Sequence, residues 1–499
     1  MDTITSRRRS VPTWAVLAIC CVAQFMVVLD VAIVNVALPP MRASLGLSMA
    51  GEQWVVNAYA LTFAGFLMLG GRAGDLFGRR RIFVIGLTLF TLSSLIGGLA
   101  PSGTWLIAAR AVQGIGGAVL APATLSILVT TFTDTGDRRR ALGAWSATAA
   151  SGAAVGVLAG GVLTSLLDWR WVLFVNVPIG AALLAGAWVA LPRSEQRGPR
   201  KTLDLTGAVT VTTGLAVLVY GIVSTGAHPW GSTRTIVTLA VGLVVLAVFV
   251  VTEARFAKDP LIPLSTFKRR SLSVANGIAV LLGAAVFGTY FFLSLFLQNV
   301  DSYSPLRTGL AFLPVGLCTL TGAMIASRLV RVLGARNQLM LGLGLAAVGL
   351  LWLSRVGAGD GYLVHVFGPM IGIGIGVGLS FVPMTLCATA GVPDHEAGLT
   401  AGLINTTRQV GGALGLAVMA TVASSIAAGH EAGHHSVDSA LTSGDQAAFV
   451  IAGCGLIIGA LLASLLPTLR TPTPTAPRTR HEEPAAVHTN TRAVVTLRK

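Results

Sequence analysis

The sequence predicts an all-α integral membrane protein with fourteen transmembrane helices, arranged as two six-helix halves plus two inserted central helices. Three observations carry that expectation. Hydrophobic residues make up 54% of the 499-residue chain and charged residues 11%, whereas a soluble domain carries about 25% charged residues. Apolar runs of the length a helix needs to cross a bilayer, about 20 residues, recur from end to end. The net charge of +15 is scattered over the short links between those runs.

Arg7, Arg8 and Arg9 precede the first run, Trp14–Leu38. It begins like a secretory signal but outlasts the apolar core of one, about 7–15 residues, so it reads as a retained helix. Further runs follow at Trp54–Leu69, Ile82–Ala100, Trp105–Val129, Ala141–Leu167, Trp171–Leu191, Leu205–Thr225, Ile236–Val251, Leu272–Leu297, Leu310–Leu329, Leu339–Leu353, Leu363–Leu386, Leu399–Ile426 and Phe449–Leu466. Glycine and proline inside them do not veto the assignment, because neighbouring helices satisfy the backbone in a bundle. An even count puts both tails and alternate loops on one side. That side collects 28 Lys and Arg, while the other holds only Arg42, Arg170, Arg234, Arg307 and Arg355. By the positive-inside rule the rich side is cytoplasmic, which predicts a multi-pass plasma-membrane protein with both termini inside the cell. Charges spread over short loops do not make the single basic patch that nucleic-acid binding needs.

The expected layout is an N-tail (1–13), a first half (14–191), a linker with the two extra helices (192–271), a second half (272–467) and a disordered tail (468–499) rich in Thr, Pro, Arg and Ala. Cys20, Cys21, Cys318, Cys387 and Cys454 all lie in apolar runs without a CxxC pair, so neither a disulfide scaffold nor a zinc site is expected. The two halves echo each other. Arg72, Gly78 and Arg80 return at a shift of 256 as Arg328, Gly334 and Arg336, and the helix ending near Pro122 returns as the one ending near Pro383. Parallel six-helix repeats with substrate bound at their interface are one build of secondary transporters.

The link Gly71-x-x-x-Asp75-x-x-Gly78-Arg79-Arg80-Arg81 resembles the signature loop of the major facilitator superfamily. Leu29-Asp30-Val31-Ala32-Ile33-Val34-Asn35-Val36-Ala37-Leu38-Pro39 is similar to the first-helix motif of its fourteen-helix drug:proton antiporters, and two further stretches agree, Asp168 to Gly180 and Ser304 to Pro314. Arg110, with Gln113, Gly114, Gly116 and Gly117, resembles the family's intramembrane arginine motif. Gly152, Gly156, Gly160 and Gly161 resemble its antiport helix motif, with Val157 where proline is usual. The resemblance implies proton-coupled export of hydrophobic drugs or antibiotics by alternating access. Its partners would be an apolar small molecule, protons and the lipid bilayer, with no cofactor, no metal and no nucleic acid. An exporter dedicated to one endogenous metabolite is the alternative, and a uniporter or symporter the next.

At about 1.5 Å of rise per residue, Asp30 and Arg110 share the outer half of the membrane. Asp30 stands as the one acid well inside an apolar run. Burial favours the neutral carboxyl and a nearby guanidinium the charged one, and such opposed influences suit a proton that comes and goes. Asp30 and Arg110 are therefore the expected proton-coupling pair, and Gly71, Asp75, Gly78, Arg79 and Arg80 the expected conformational gate. Phe25, Trp54, Asn57, Tyr59, Asn405 and Arg408 are candidates for the substrate cavity. A cavity with so few acids suits neutral or singly charged cargo better than dications, since an unpaired buried charge costs several kcal/mol. One enzymatic pattern stands apart. His430-Glu431-Ala432-Gly433-His434 matches the HExxH of zinc peptidases, but in a glycine-containing loop, where a helix is needed to aim both histidines at one metal. No GxxxxGK[ST] loop is present, so an ion gradient and not ATP is the expected energy source.

Overall fold

The computed structural model describes residues 12–191 and 204–467, apart from 227, 229, 258–259, 262–263, 391, 393 and 433–435; the side chains of 75, 135, 149–150, 264–265, 394–399 and 431–432 also lie outside the description. The described residues form fourteen helical spans long and apolar enough to cross a membrane. The first six are α1 (Thr13–Leu45), α2 (Met49–Phe77), α3 (Arg79–Gly98), α4 (Gly103–Thr131), α5 (Thr135–Leu166) and a two-part span, α6 (Trp171–Phe174) and α7 (Asn176–Ala190), interrupted at Val175. Next come α8 (Leu205–Val223) and α9 (Thr233–Arg255). The remainder are α10 (Arg270–Leu295), α11 (Pro305–Leu333), α12 (Ala335–Leu353), α13 (Gly368–Thr389), α14 (Asp394–Ala432) and α15 (Val437–Ala463).

Local chemistry sets the helix starts. Ser48, Ser102, Asp134, Ser232, Ser304 and Ser436 each accept a hydrogen bond from a backbone N–H of the first turn, which satisfies donors that no carbonyl can reach. These caps extend several helices beyond their apolar runs. The last helix opens at Val437, well before Phe449, and so takes Asp445 into the fold at 8% exposure. Pro39, Pro40, Pro122, Pro314 and Pro383 all sit inside continuous helices.

The two sets of six spans pack by one scheme. In the first, α1 lies on α5 and α7, α2 on α4, and α3 on α4 and α7. In the second, α10 lies on α14 and α15, α11 on α13, and α12 on α13 and α15. The sets meet along two seams, α5 against α11 and α2 against α14, and α8, paired with α9, packs on both α2 and α14. The repeat extends to the backbone. Gly78 joins α2 to α3 at φ 94°, and Gly334 joins α11 to α12 at φ 76°. Only glycine adopts such a conformation without strain, which costs other residues about 1–3 kcal/mol. Gly78→Ala and Gly334→Ala should each lower the midpoint of thermal unfolding in detergent. Gly143→Ala, where an added methyl meets nothing within 4 Å, should leave it unchanged.

Candidate functional site

Asp30 on α1 and Arg110 on α4 form an ion pair at 2.6 Å, with side-chain exposures of 0% and 2%. Two more helices supply donors. Gln113 Nε2, one turn along α4, donates to Asp30 Oδ1 at 2.8 Å, and Asn176 Nδ2, the first residue of α7, donates to the same oxygen at 2.8 Å. Both amides also donate to Ser94 Oγ on α3, which in turn donates to the Leu173 carbonyl of α6. Arg110 is held from its other edges: its Nε donates to the Val55 carbonyl at 3.3 Å, a second bond reaches Gln113 Oε1 at 2.9 Å, and its guanidinium lies 4.4 Å over the Tyr59 ring. The Asp30 carboxyl accepts from three side chains, Arg110, Gln113 and Asn176. One carboxyl group thus ties together α1, α4 and α7.

The site depends on close helix approach. An added Cβ would fall 3.1 Å from the Phe25 carbonyl at Gly152, 2.8 Å from that of Leu29 at Gly156, and 2.7 Å from that of Ile33 at Gly160. These glycines form the α1–α5 crossing that carries Asp30. Gly161 faces the other way, and an added Cβ there would fall 2.5 Å from the Pro305 carbonyl of α11. Without a proline at Val157, α5 runs unbroken from Thr135 to Leu166.

At the arginine-rich end, Arg80 Nη2 donates to the Trp188 carbonyl of α7 at 2.8 Å and lies over that residue's ring. Arg72 reaches the Pro260 carbonyl in the link after α9. A methyl on Gly71 would make only an ordinary contact with Pro122. Arg79 begins α3, and the side chain of Asp75 lies outside the described residues.

The cavity candidates separate. Tyr59 is 1% exposed and serves as the floor beneath Arg110, stacked on Phe63, and not as an open wall. Trp54 packs into the apolar cluster of α2, α8 and α14, with Leu61, Leu215, Val219 and Ala417, because α8 covers that face of α2. Asn57 is fully buried, and both of its amide atoms lack a hydrogen-bond partner. Phe25 is partly buried against the cluster shared by α1 and the second-half helices. Asn405 and Arg408 come together at 2.8 Å.

Asp30 is not alone as a buried acid. Glu52 is 0% exposed and lies 3.8 Å from Arg42, and Glu253 and Asp445 are also buried within helices. Glu52 and Asp445 fall outside the apolar runs because the Ser48 and Ser436 caps start their helices earlier, and Glu253 because α9 runs on to Arg255. Gln113 and Asn176 also escaped notice as ligands of Asp30, although both stand in quoted motifs. As for the peptidase pattern, His430 Nδ1 lies 3.0 Å from the Ile426 carbonyl inside α14, while His434 lies outside the described residues. Among the described residues, no three metal-ligating side chains come together.

Comparison with known proteins agrees with this architecture. The family model of the Major Facilitator Superfamily matches residues 20–416. The chain is 44% identical over 485 residues to a cephamycin export protein of Amycolatopsis lactamdurans, covering 97% of each chain. It is 40% identical over 455 residues to a puromycin resistance protein of Streptomyces alboniger, covering 90% of this chain and 89% of that one. The crystal structure of the nucleoside transporter NupG shares the fold at a TM-score of 0.65 and 11% identity, over 90% of this chain and 99% of the other. With two alike sets of six spans, two further helices beside them and a family model matching most of its length, the chain belongs to the major facilitator superfamily, and its relatives include a cephamycin export protein and a puromycin resistance protein.

Proposed function

We propose that the protein is a proton-coupled antiporter of the plasma membrane that exports hydrophobic antibiotics or related apolar molecules by alternating access, with its arginine-rich face in the cytoplasm. The observation that carries the coupling is Asp30 held by Arg110, Gln113 and Asn176. A proton arriving on Asp30 cancels the charge that holds Arg110, and the guanidinium must then find another acceptor or draw toward water. Because the donors sit on α4 and α7 while the acid sits on α1, that event loosens helix contacts within the first half. The export reading draws on the relatives' names as cephamycin export and puromycin resistance proteins.

The seams suggest which face is shut. Close approaches across α5–α11 run from Ala154–Gly316 outward to Ser165 Oγ, which accepts from Leu306 N at 2.9 Å; Ser294 of α10 and Gln298, in the helical turn that follows α10, donate to the Asn35 and Val36 carbonyls of α1. This is the arginine-poor end. Closure there fits a state open toward the arginine-rich face, with Arg72, Gly78 and Arg80 at the moving links. The energy suffices, since an entering proton is worth about 2.3 kcal/mol per 100 mV and about 1.4 kcal/mol per pH unit.

Reconstituted protein should drive an apolar fluorescent dye uphill when a pH gradient is imposed, with protons moving against it. Dye movement indifferent to the gradient, or proton and dye moving together, would overturn antiport. A susceptibility screen in a host stripped of efflux pumps separates a broad exporter, which protects against many compounds, from one dedicated to a single metabolite.

A further inference from the structure

The second half holds a cation of its own at membrane depth. Unlike Arg110, Arg408 on α14 has no acid: none of the ion pairs among the described residues includes it. Of the five N–H donors of a guanidinium, one is committed, Nη2 to Asn405 Oδ1 at 2.8 Å. The group lies 5.2 Å over the Phe381 ring of α13, and the residue is only partly buried.

The backbone that carries the side chain is also fixed in place. An added Cβ on Gly283 of α10 would fall 1.9 Å from the Arg408 carbonyl, so the two backbones touch there. Next to it, Thr407 Oγ1 donates to Asn276 Oδ1 of α10 at 2.7 Å. Arg408 therefore cannot slide along the bundle to reach a distant acid. An unpaired arginine at this depth costs about 2.5–3.5 kcal/mol even on lenient scales, and such residues face a partner or a water-filled cavity. Arg110 has Asp30 beside it, whereas no ion pair among the described residues includes Arg408.

We propose that Arg408 receives an anionic oxygen group, the carboxylate of the transported molecule, while Phe381 packs on the adjoining apolar body. The site thereby selects bulky apolar monoanions over their neutral analogues. This refines the export reading and rests on it. A guanidinium offers a carboxylate two parallel bonds, and Asn405 holds the opposite edge. The phosphate of an anionic lipid presents the same chemistry, and the experiment separates the two sources.

The probes are pyrenebutyric acid and its methyl ester, which differ in charge and hardly in body. Equilibrium binding to the full chain in nonionic detergent should favour the acid by about tenfold or more. Arg408→Gln should equalise the two by weakening the acid alone. Arg408→Lys should restore part of the preference, since lysine keeps the charge without the planar fork. Unchanged ester binding serves as the check that each variant is folded, and among the described residues no acid is orphaned by removing this arginine.

An acid-to-ester ratio that is the same in the wild type and Arg408→Gln would overturn the proposal. So would loss of the preference in nanodiscs of phosphatidylcholine with phosphatidylglycerol while it persists in phosphatidylcholine alone, because lipid phosphate would then be the occupant. Neither probe moving under a pH gradient, with the binding preference intact, would instead defeat the export reading and leave the anion site standing.

Discussion

Asp30→Asn is expected to abolish efflux driven by a pH gradient and to lower thermal stability together. Transport fails because asparagine cannot carry the proton. Stability falls for a separate reason: Arg110 is 2% exposed and Asp30 is its only carboxylate partner among the described residues, and breaking a buried pair by removing one partner costs about 3–5 kcal/mol. The two effects can be separated. Adding Arg110→Gln to Asp30→Asn removes the stranded charge and should recover much of the unfolding midpoint, with no recovery of proton-driven transport. Dye efflux from proteoliposomes and thermal unfolding in detergent measure the two halves. Undiminished coupling in the single variant would exclude Asp30 as the proton carrier.

Gly156→Val should have an effect of similar size by a different route. The first atom of the new side chain would fall 2.8 Å from the Leu29 carbonyl and 2.9 Å from Ala32 Cβ. Neither can yield, since one is backbone and the other a methyl on a buried helix. Overpacking of this kind costs about 1–3 kcal/mol or more. Here it would also push α1 off α5 beside Asp30, lengthening the bonds from Arg110 and Asn176, which α5 does not carry. The expected result is loss of proton-driven efflux with a lower yield of folded protein. Gly143→Ala on the same helix should behave as the wild type. Normal efflux by Gly156→Val would mean that the α1–α5 crossing does not hold the acid in register.

The number of spans and the kinship of the halves could be read from the chain, because apolar length and the spacing of Gly78 and Gly334 need no knowledge of packing. Helix ends could not. Caps such as Ser436 start a helix in polar sequence, and so Asp445 and Glu52 looked like loop or rim residues. Depth arithmetic brought Asp30 and Arg110 to one level, since rise along a helix is constant. Direction around the helix is not fixed in that way. Asn176 reaches Asp30 from the start of α7, and which face of that helix turns inward is a feature that apolar length does not record. Trp54 and Tyr59 make the same point: an aromatic ring suits a cavity wall, a helix seam or the underside of a guanidinium equally well, and only neighbouring helices decide.

One neighbour has mechanical weight. α8 touches both sets of helices, with Thr212 in the gap left by Gly65 of α2 and the Ile222 carbonyl accepting from Thr421 of α14 at 3.0 Å. Among the described residues, neither α8 nor α9 packs along the α5–α11 seam, where the two helices meet directly. In the proposed cycle, rocking of the two sets would shear one face of α8 or the other, whereas the opposite flank would part by breaking the direct α5–α11 contacts. The molecule is built like a book, with a bound spine on one side and two covers pressed directly together on the other.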